Sequence, residues 1–305
     1  MRATSKLTTL TEAVRLVQPG SSLSFSGFGH AGHPLAFVRE LIRQGTDDLT
    51  LHAIAECWPA EFLVANGRVS RINLSNLMFE GLGRCRAISR AVEEGEVAVD
   101  DHSHLALSLR LLAGAWNVPF LPVRSMAGSD LVAVQTGVAP KYAQVRSPFT
   151  DNEVGAVAAL RPDVAVIHVN QADEQGNGIV SGAISVIDAQ VRAARKVVVT
   201  AERIVSADEI TAANQVVTVP GIFVDAVVHT PYGAHPGGMY DEYDEDSAAM
   251  STYYEASRSR QALVDYFAEH LFGHADHASY LNALGSRRLF SLRVDPALKI
   301  ARGTK

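Results

Sequence analysis

Short apolar segments alternate along this chain with amphipathic segments of helical periodicity, and this alternation constrains the fold more than any other feature. In the first half, SSLSFSG, DLTLHAIA and VSRINLSN are typical of strands, and HPLAFVRELIRQG and PAEFLVANG of helices. In the second half, DVAVIHVNQAD and KVVVTAERIV continue the strand pattern. Strands that alternate with helices predict an α/β fold, with a mainly parallel sheet and helices on both faces. In such sheets, ligand sites lie at the carboxyl ends of the strands.

The domain organisation follows from a change in composition late in the chain. The 305 residues, 47% of them hydrophobic, are ample for a sizeable core. We expect a single α/β domain over residues 1–240. From residue 241 to 305 the chain is richer in charge, and DSAAMSTYYEASRSRQALVDYFAEHLF has a helical pattern. This part is predicted to be a helical C-terminal extension packed on the domain.

Charge and cysteine usage exclude several classes of protein. With 27 basic and 33 acidic residues the net charge is −6, which argues against general affinity for nucleic acid or acidic membranes. We expect no membrane span and no signal peptide, because the apolar runs are short. Cys57 and Cys85 are too few for a disulfide framework and predict a reducing compartment. The sequence therefore indicates a cytoplasmic protein in which both cysteines are buried small hydrophobes.

A glycine-rich segment follows the first predicted strand. Ser26-Gly27-Phe28-Gly29 leaves that strand, and Gly32 precedes the proline that opens the next helix. Glycines allow positive φ and close approach of a ligand to the backbone. Free N–H groups at a helix start suit an anion or an oxyanion. The segment is therefore a candidate binding loop, and the alternative is a tight strand–helix turn without a ligand.

The same segment also fits the spacing of a dinucleotide fingerprint, since GFGHAG has the form G-x-G-x-x-G. That fingerprint needs an acidic residue at the end of the following strand. Asp47 and Asp48 precede that strand, and Glu56 comes late. A nicotinamide oxidoreductase is therefore a weaker alternative, which a cofactor-binding assay would test.

Five ordered motifs resemble those of the family I coenzyme A transferases. PGSSLSFSGFGHAGHP is similar to the first signature of the family, although Ser26 replaces the first glycine of a pair and Ser24 interrupts the apolar strand. EVAVDDHSHLALSLRLLAGAWNVPFLPVRSMAGSDL resembles the middle of the glutaconate-type A subunit. HVNQADEQGNGIVSG, VVVTAERIVSADEI and VDAVVHTPYGAHPGGMY complete the set. The resemblance covers the chain from about residue 7 to about residue 285.

The resemblance implies the family's fold and an A-type subunit of a two-component CoA transferase. In that family the nucleophile is a glutamate in a Ser-Glu-Asn-Gly-type motif of the B-type subunit. No such motif occurs here, and Glu56 and Glu80 lack its context. The chain would therefore be active only with a B-type partner, in an A2B2 assembly that moves CoA between an acyl-CoA and a (di)carboxylic acid. CoA esters would be substrates, with no permanently bound cofactor, and the glycine segment would line the acyl site and help to form an oxyanion hole.

Asp101 and His104 lie in VDDHSHL, between a predicted strand and a helix. Asp101 or Ser103 could cap that helix. A carboxylate and an imidazole together could instead transfer protons. A related group of enzymes cleaves a carbon–carbon bond in CoA esters from steroid degradation and uses an A-subunit carboxylate near this segment. An A subunit of such a ring-cleaving hydrolase, with Asp101 and His104 as catalytic candidates, is therefore the alternative function.

Four further residues are candidates for substrate binding. Arg124 and Ser125 follow the extended segment VPFLPV, and Arg124 could hold a substrate carboxylate by a two-pronged pair or form an ion pair with Asp130. Ser75 and Asn76 end the strand RINLSN, where they could contact the acyl group or form an ordinary turn. A relative that only senses a CoA ester, without catalysis, also remains open at this stage.

The histidines near the C-terminus are the one candidate metal pattern. His270, His274 and His277 have the spacing i, i+4, i+7. Gly273 interrupts the helix, and no cysteine or carboxylate completes a ligand set. We therefore predict no metal site and expect a solvated helix face.

Overall fold

The computed structural model describes residues 4–134, 140–213, 216–295 and 297. Its strands form one large sheet and one small sheet. In chain order they are β1 (Ser22–Phe25), β2 (Leu49–Ala53), β3 (Val69–Leu74), β4 (Ala98–Asp101), β5 (Phe120–Val123), β6 (Tyr142–Arg146), β7 (Glu153–Ala158), β8 (Val164–Ala172), β9 (Gly178–Ile179), β10 (Lys196–Ile204) and β11 (Ala226–His229).

The helices are distributed along the whole chain. They are α1 (Leu10–Val14), α2 (Leu35–Gln44), α3 (Cys57–Ala65), α4 (Arg86–Glu93), α5 (His104–Ala115), α6 (Ile187–Ala193), α7 (Ala207–Ala212), α8 (Ser247–Ala256), α9 (Arg260–Phe267), α10 (His277–Leu284) and α11 (Ser286–Leu292). Short 3-10 turns cover Glu80–Leu82, Asp130–Val132 and Gly221–Phe223, and a π turn covers Ala268–Phe272. No helix among these described residues is long and apolar enough to span a membrane.

The large sheet confirms the predicted mainly parallel α/β architecture. Seven strands lie in the order β11-β10-β8-β1-β2-β3-β4, and all their pairings are parallel. β9 adds to β8 in the antiparallel sense. Helices cover both faces, because α2 and α3 pack with one set of strand side chains and α6 with the other.

The central strands are buried on both faces, which explains their continuous apolar sequence. In β8, Val164 and Val166 belong to the core shared with α2 and α3. Ala165, Ile167 and Val169 belong to the core shared with α6. Side chains alternate between faces with a period of two, so one apolar run fills both layers.

The C-terminal helices complete the first of these cores. Tyr253 in α8 and Phe267 in α9 are buried in the same cluster as Trp58 and Phe62 of α3. The ring centroids of Phe62 and Tyr253 are 4.9 Å apart. Through these aromatic contacts α8 and α9 pack against α3. The predicted division of the chain at residue 240 stays a prediction.

The small sheet is antiparallel, in the order β5-β7-β6. The sequence predicted only an extended segment at β5. A separate small core forms where Val123, Tyr142 and Val157 of this sheet meet Ala106 of α5. This sheet holds the segment after β5 against the start of α5, and therefore beside the carboxyl ends of β3 and β4.

Candidate active site at the carboxyl edge of the parallel sheet

β1 lies where the strand order of the large sheet reverses. β2, β3 and β4 extend to one side of it, and β8, β10 and β11 extend to the other. Crevices at such switch points, outside the carboxyl ends of the strands, are the usual ligand sites of open α/β sheets. We define the glycine loop as residues 26–33. It leaves β1 at this point, where Ser26 Oγ accepts a 2.8 Å hydrogen bond from the backbone N–H of His168 in β8.

The backbone of the glycine loop requires glycine. Gly27, Gly29 and Gly32 have φ values of 120°, 60° and 74°. A Cβ on Gly27 would lie 2.0 Å from Nδ1 of His33, and a Cβ on Gly29 would lie 2.6 Å from Oε1 of Glu80. Positive φ and these close approaches together leave no room for a side chain.

Most backbone amides of the loop are already used within the chain. Those that donate to backbone carbonyls belong to Ser26, Phe28, Gly29, Ala31 and Gly32. Among the described residues, the amides of Gly27, His30 and His33 have no hydrogen-bond acceptor. Because His33 is fully buried, the amides of Gly27 and His30 are the donors that the loop could offer to an oxyanion.

The side chain of Ser26 serves the loop itself. Its Oγ donates to the carbonyl of Gly32 at 2.9 Å and accepts from His168. Its own N–H donates to Val166, and its carbonyl lies 3.1 Å from Nδ1 of His33. The residue is only 1% exposed. Serine at this position closes the loop, so a substrate contact from Ser26 would require the loop to open.

A cleft of about 430 Å³ opens beside the loop. It is lined by Phe28 and His30, by Glu80 and by the 238–245 segment. Nδ1 of His30 lies 2.9 Å from Oε2 of Glu245. This hydrogen bond raises the pKa of His30 and lowers the pKa of Glu245. With Asp241 and Asp244 also in its wall, the cleft carries several carboxylates and disfavours an anionic group.

A second polar group lies two strands away, at the carboxyl ends of β3 and β4. Oγ of Ser75, just after β3, lies 3.2 Å from Nδ1 of His104 at the start of α5. Oγ of Ser103 lies 2.8 Å from Oγ of Ser125, after β5. The structure thus brings Ser75 into contact with His104, and it brings Ser125 into contact with Ser103, the residue before His104. Asn76 is exposed beside them, and its side chain has no hydrogen bond among the described residues.

Asp101 keeps its side chain at the surface of this edge. Ser103, rather than Asp101, caps α5, because its Oγ accepts from the N–H of Ala106 at 3.1 Å. The contact to Asp101 comes from Lys141, whose Nζ donates to the Asp101 carbonyl at 2.8 Å. The neighbouring Asp100 is buried and pairs with Arg71 at 3.4 Å. Of the two adjacent carboxylates, Asp101 is therefore the one available to a ligand.

Arg124 is exposed at the end of β5. It forms no ion pair with Asp130 or with any other described residue. A structural ion pair was one of two interpretations of this arginine, and the geometry does not contain it. An unpaired guanidinium at the carboxyl edge can bind a carboxylate through two parallel hydrogen bonds.

Comparison with known proteins identifies the family of this chain. Residues 7–230 match a family model described as "Coenzyme A transferase". The chain belongs to the coenzyme A transferase family. The family that the five motifs predicted is confirmed.

The similarity of the transferase chain to known relatives extends from end to end. It is 34% identical to the A subunit of the glutaconate CoA-transferase of Acidaminococcus fermentans, with 96% of each chain covered. It matches the crystal structure of glutaconate coenzyme A-transferase from the same organism with a TM-score of 0.91 and 32% identity, over 97% of this chain and 98% of that one. It is also 30% identical to a "Cholesterol ring-cleaving hydrolase IpdA subunit" of Rhodococcus jostii, over 89% of this chain and 93% of that protein.

The sequence did not reveal that Glu56 is buried. It follows Ala55, which has a φ of 64°, at the turn between β2 and α3. The residue is 2% exposed, and its carboxyl accepts from the N–H of Ile54. Burial raises the pKa of Glu56 well above 4.5. The carboxyl is therefore enclosed, which keeps it from acting as a nucleophile toward a thioester.

Two further contacts in this site were also absent from the sequence predictions. They are the His30–Glu245 pair across the cleft and the buried ring of His33 beneath the loop. Glu245 lies 215 positions from His30, and periodicity carries no information about such a pairing.

The two cysteines and the C-terminal histidines were not predicted to bind substrate, but Sγ of Cys57 lies 3.4 Å from the carbonyl of Gly29 in the glycine loop. Cys57 and Cys85 are buried and free, as predicted. Within the described ranges, no group of three or more His, Cys, Asp or Glu side chains could hold a metal ion. The expected solvated histidine face is wrong, because His270 packs on Tyr266 with ring centroids 4.5 Å apart and His277 contacts the carbonyl of Pro231 at 2.8 Å.

Proposed function

We propose that this chain is the A-type subunit of a two-component enzyme that moves CoA between an acyl-CoA and a (di)carboxylic acid. The observation that carries the proposal is the end-to-end similarity to a glutaconate CoA-transferase of which this chain matches the A-type component, at 34% identity over 96% of both chains. The nucleophilic carboxylate belongs to a separate B-type subunit. The burial of Glu56 supports this assignment, because the carboxylate in the turn between β2 and α3 of this chain is not exposed.

The reaction proceeds by covalent catalysis on the partner. The B-type glutamate attacks the thioester carbonyl, the C–S bond breaks, and the CoA thiolate then attacks the glutamyl carbonyl of the mixed anhydride. The acyl group leaves as a carboxylate, and CoA remains on the glutamate as a thioester. Attack by the acceptor carboxylate on this thioester reverses the sequence and yields the new acyl-CoA.

The residues of this chain bind and stabilise the reacting acyl group. The free amides of Gly27 and His30 suit the oxyanion that develops on the thioester carbonyl. The guanidinium of Arg124 suits the carboxylate of the acid. The cleft beside the glycine loop does not suit that carboxylate, because its wall is acidic. Ser75, Asn76 and Ser125 supply further hydrogen bonds at the same edge.

A trapping experiment tests the proposal. The chain is co-expressed with its B-type partner, incubated with a panel of acyl-CoA esters, reduced with borohydride and analysed by intact mass and peptide mapping. Reduction of a glutamyl-CoA thioester converts one B-chain glutamate to an alcohol, and we expect that mass change on the B chain alone. Turnover of a CoA ester without this modification would overturn the transferase proposal.

Ring-cleaving hydrolysis is the second candidate, and the exposed carboxylate of Asp101 at the end of β4 favours it. In that case Asp101, with His104 nearby, would act as the acid or base on this chain. Asp101→Asn would then abolish turnover, while glutamyl-CoA would never be trapped. Under the transferase proposal the same variant retains trapping on the B chain.

The assembly and its setting extend the proposal. An A2B2 heterotetramer places each site between one A-type and one B-type chain, and CoA esters enter as substrates without a resident cofactor. A cytoplasmic location remains a prediction of the composition. Sedimentation of the co-expressed complex would check the stoichiometry, with an AB heterodimer as the contrary outcome.

A further inference from the structure

The imidazole ring of His33 lies directly beneath the glycine loop. It is fully buried. Its Nδ1 lies 3.1 Å from the carbonyl oxygen of Ser26, and its Nε2 lies 2.9 Å from the carbonyl oxygen of Gly29. One side chain therefore contacts both ends of the turn that carries Gly27 and Phe28.

The ring also fixes the position of Gly27. A Cβ on Gly27 would lie within 2.0–2.8 Å of three ring atoms, so the ring packs against the Gly27 backbone itself. Gly29 is also held by its own N–H, which donates to the carbonyl of Ala55 at 3.2 Å, while Sγ of Cys57 lies 3.4 Å from the Gly29 carbonyl. At the other end of the loop, Ser26 is held by Gly32 and His168. His33 is the only one of these side chains that joins Ser26 to Gly29.

The protonation state of the His33 ring decides which of its two contacts is a hydrogen bond. Burial, with smaller contributions from the nearby His30 and His168, lowers the pKa of His33 to about 4. The ring is therefore neutral at pH 7 and has one N–H for two carbonyl acceptors. The tautomer with its proton on Nε2 donates to Gly29 through the shorter of the two contacts.

We propose that His33 is a positioning residue for the acyl site, because its ring holds the Ser26–Gly29 turn in the conformation that leaves the amides of Gly27 and His30 free. The proposal rests on the function proposed above for those amides. A displacement of about 1 Å in such donors can reduce a rate by about 100-fold. His33 itself touches no substrate in this arrangement.

The isosteric variants give a sharp test. In His33→Gln the amide nitrogen replaces Nε2 and can still reach Gly29. In His33→Asn it replaces Nδ1 and reaches only Ser26. For the complex with the B-type subunit we expect kcat to fall by about 100-fold in His33→Ala and His33→Asn, with KM changed by less than about three-fold, and to be largely restored in His33→Gln. His277→Ala is the matched control, because Nε2 of His277 also contacts a backbone carbonyl, that of Pro231, away from the loop.

Two measurements that do not depend on turnover separate this proposal from the proposed function. Nitrogen-15 NMR of histidine-labelled protein should show the neutral Nε2–H tautomer for His33. Hydrogen exchange at Phe28, Ala31 and Gly32 should quicken in His33→Ala and stay unchanged in His277→Ala. Unchanged exchange, or equal loss of kcat in the Gln and Asn variants, would overturn the role of His33. A wild-type complex that forms no CoA adduct would instead overturn the proposed function and leave the exchange result to decide on His33.

Discussion

The hydroxyl oxygen of Ser75 lies 3.2 Å from Nδ1 of His104, although 29 positions separate the two residues. The contact joins the end of β3 to the start of α5. It links a residue expected to bind substrate with one expected to transfer protons. The two side chains therefore form one hydrogen-bonded unit at the carboxyl edge of the sheet.

If this unit transfers protons, its members should not contribute independently. Ser75→Ala and His104→Ala should each lower kcat of the complex by about 100-fold, and the double variant should be no slower, because either change breaks the same pair. Ser108→Ala is the control, since its hydroxyl bonds only the carbonyl of His104. Steady-state kinetics of the four variants measures the coupling, and fully additive losses would contradict it.

Replacement of Gly27 by alanine should destabilise the protein far more than the same replacement at another glycine whose φ is also positive. Gly95 has a φ of 75°, and no atom lies within 4 Å of the position that a Cβ would take there, so Gly95→Ala should cost only about 1 kcal/mol of unfolding free energy. Gly27→Ala adds the collision with His33 and should cost roughly 3 kcal/mol or more, with loss of activity. Urea denaturation compares the two variants, and equal costs would show that the ring moves away freely.

Arg124 should contribute to binding of the acid rather than to stability. Arg124→Ala removes a charged two-pronged pair and should raise KM for the carboxylic acid by about 10- to 100-fold, with an unchanged midpoint of unfolding. Arg146→Ala is the control, because Arg146 is exposed and pairs with Asp151 at 2.9 Å. Kinetics against acid and acyl-CoA separately makes the measurement, and an equal effect of the two variants on that KM would argue against a binding role.

The His30–Glu245 pair should stabilise the fold within a defined pH window. The pKa of His30 is raised, so its contribution is complete below about pH 6.5 and is lost as pH rises through the folded-state pKa. The pKa of Glu245 is lowered, so its contribution is present above about pH 4.5 and is lost as pH falls through its folded-state pKa. Glu245→Gln should therefore cost most between about pH 4.5 and about pH 6.5.

The size of that effect is limited by solvent, since the Glu245 side chain is 37% exposed. A maximum of about 1 kcal/mol is expected, with less at pH 9. Glu255→Gln provides the control, because Glu255 pairs with an arginine, Arg258, rather than with a histidine. Denaturation curves from pH 5 to pH 9 compare the two variants. A Glu245→Gln cost that stays constant across that range would remove His30 from the explanation.

Local patterns predicted much of the fold because they report local physics. The apolar run around Val166 needs burial on two faces, and Gly45 ends α2 with a φ of 77° where the sequence places its C-terminus. The antiparallel sheet of β5, β6 and β7 was not predicted. Its pairing joins Val123 to Gly155, 32 positions later in the chain, and such a register is set by tertiary packing.

The sequence by itself determined the α/β class, the glycine turn after the first strand and the coenzyme A transferase family, because each depends on residue types at short or ordered spacing. Only the tertiary structure decided how the site is assembled. It enclosed Glu56, left Arg124 without an ion pair among the described residues, joined Ser75 to His104 and placed the ring of His33 under the loop. The reason is that parallel strands bring their carboxyl ends to one edge whatever their separation in the chain, and packing then decides which of the polar groups there find partners.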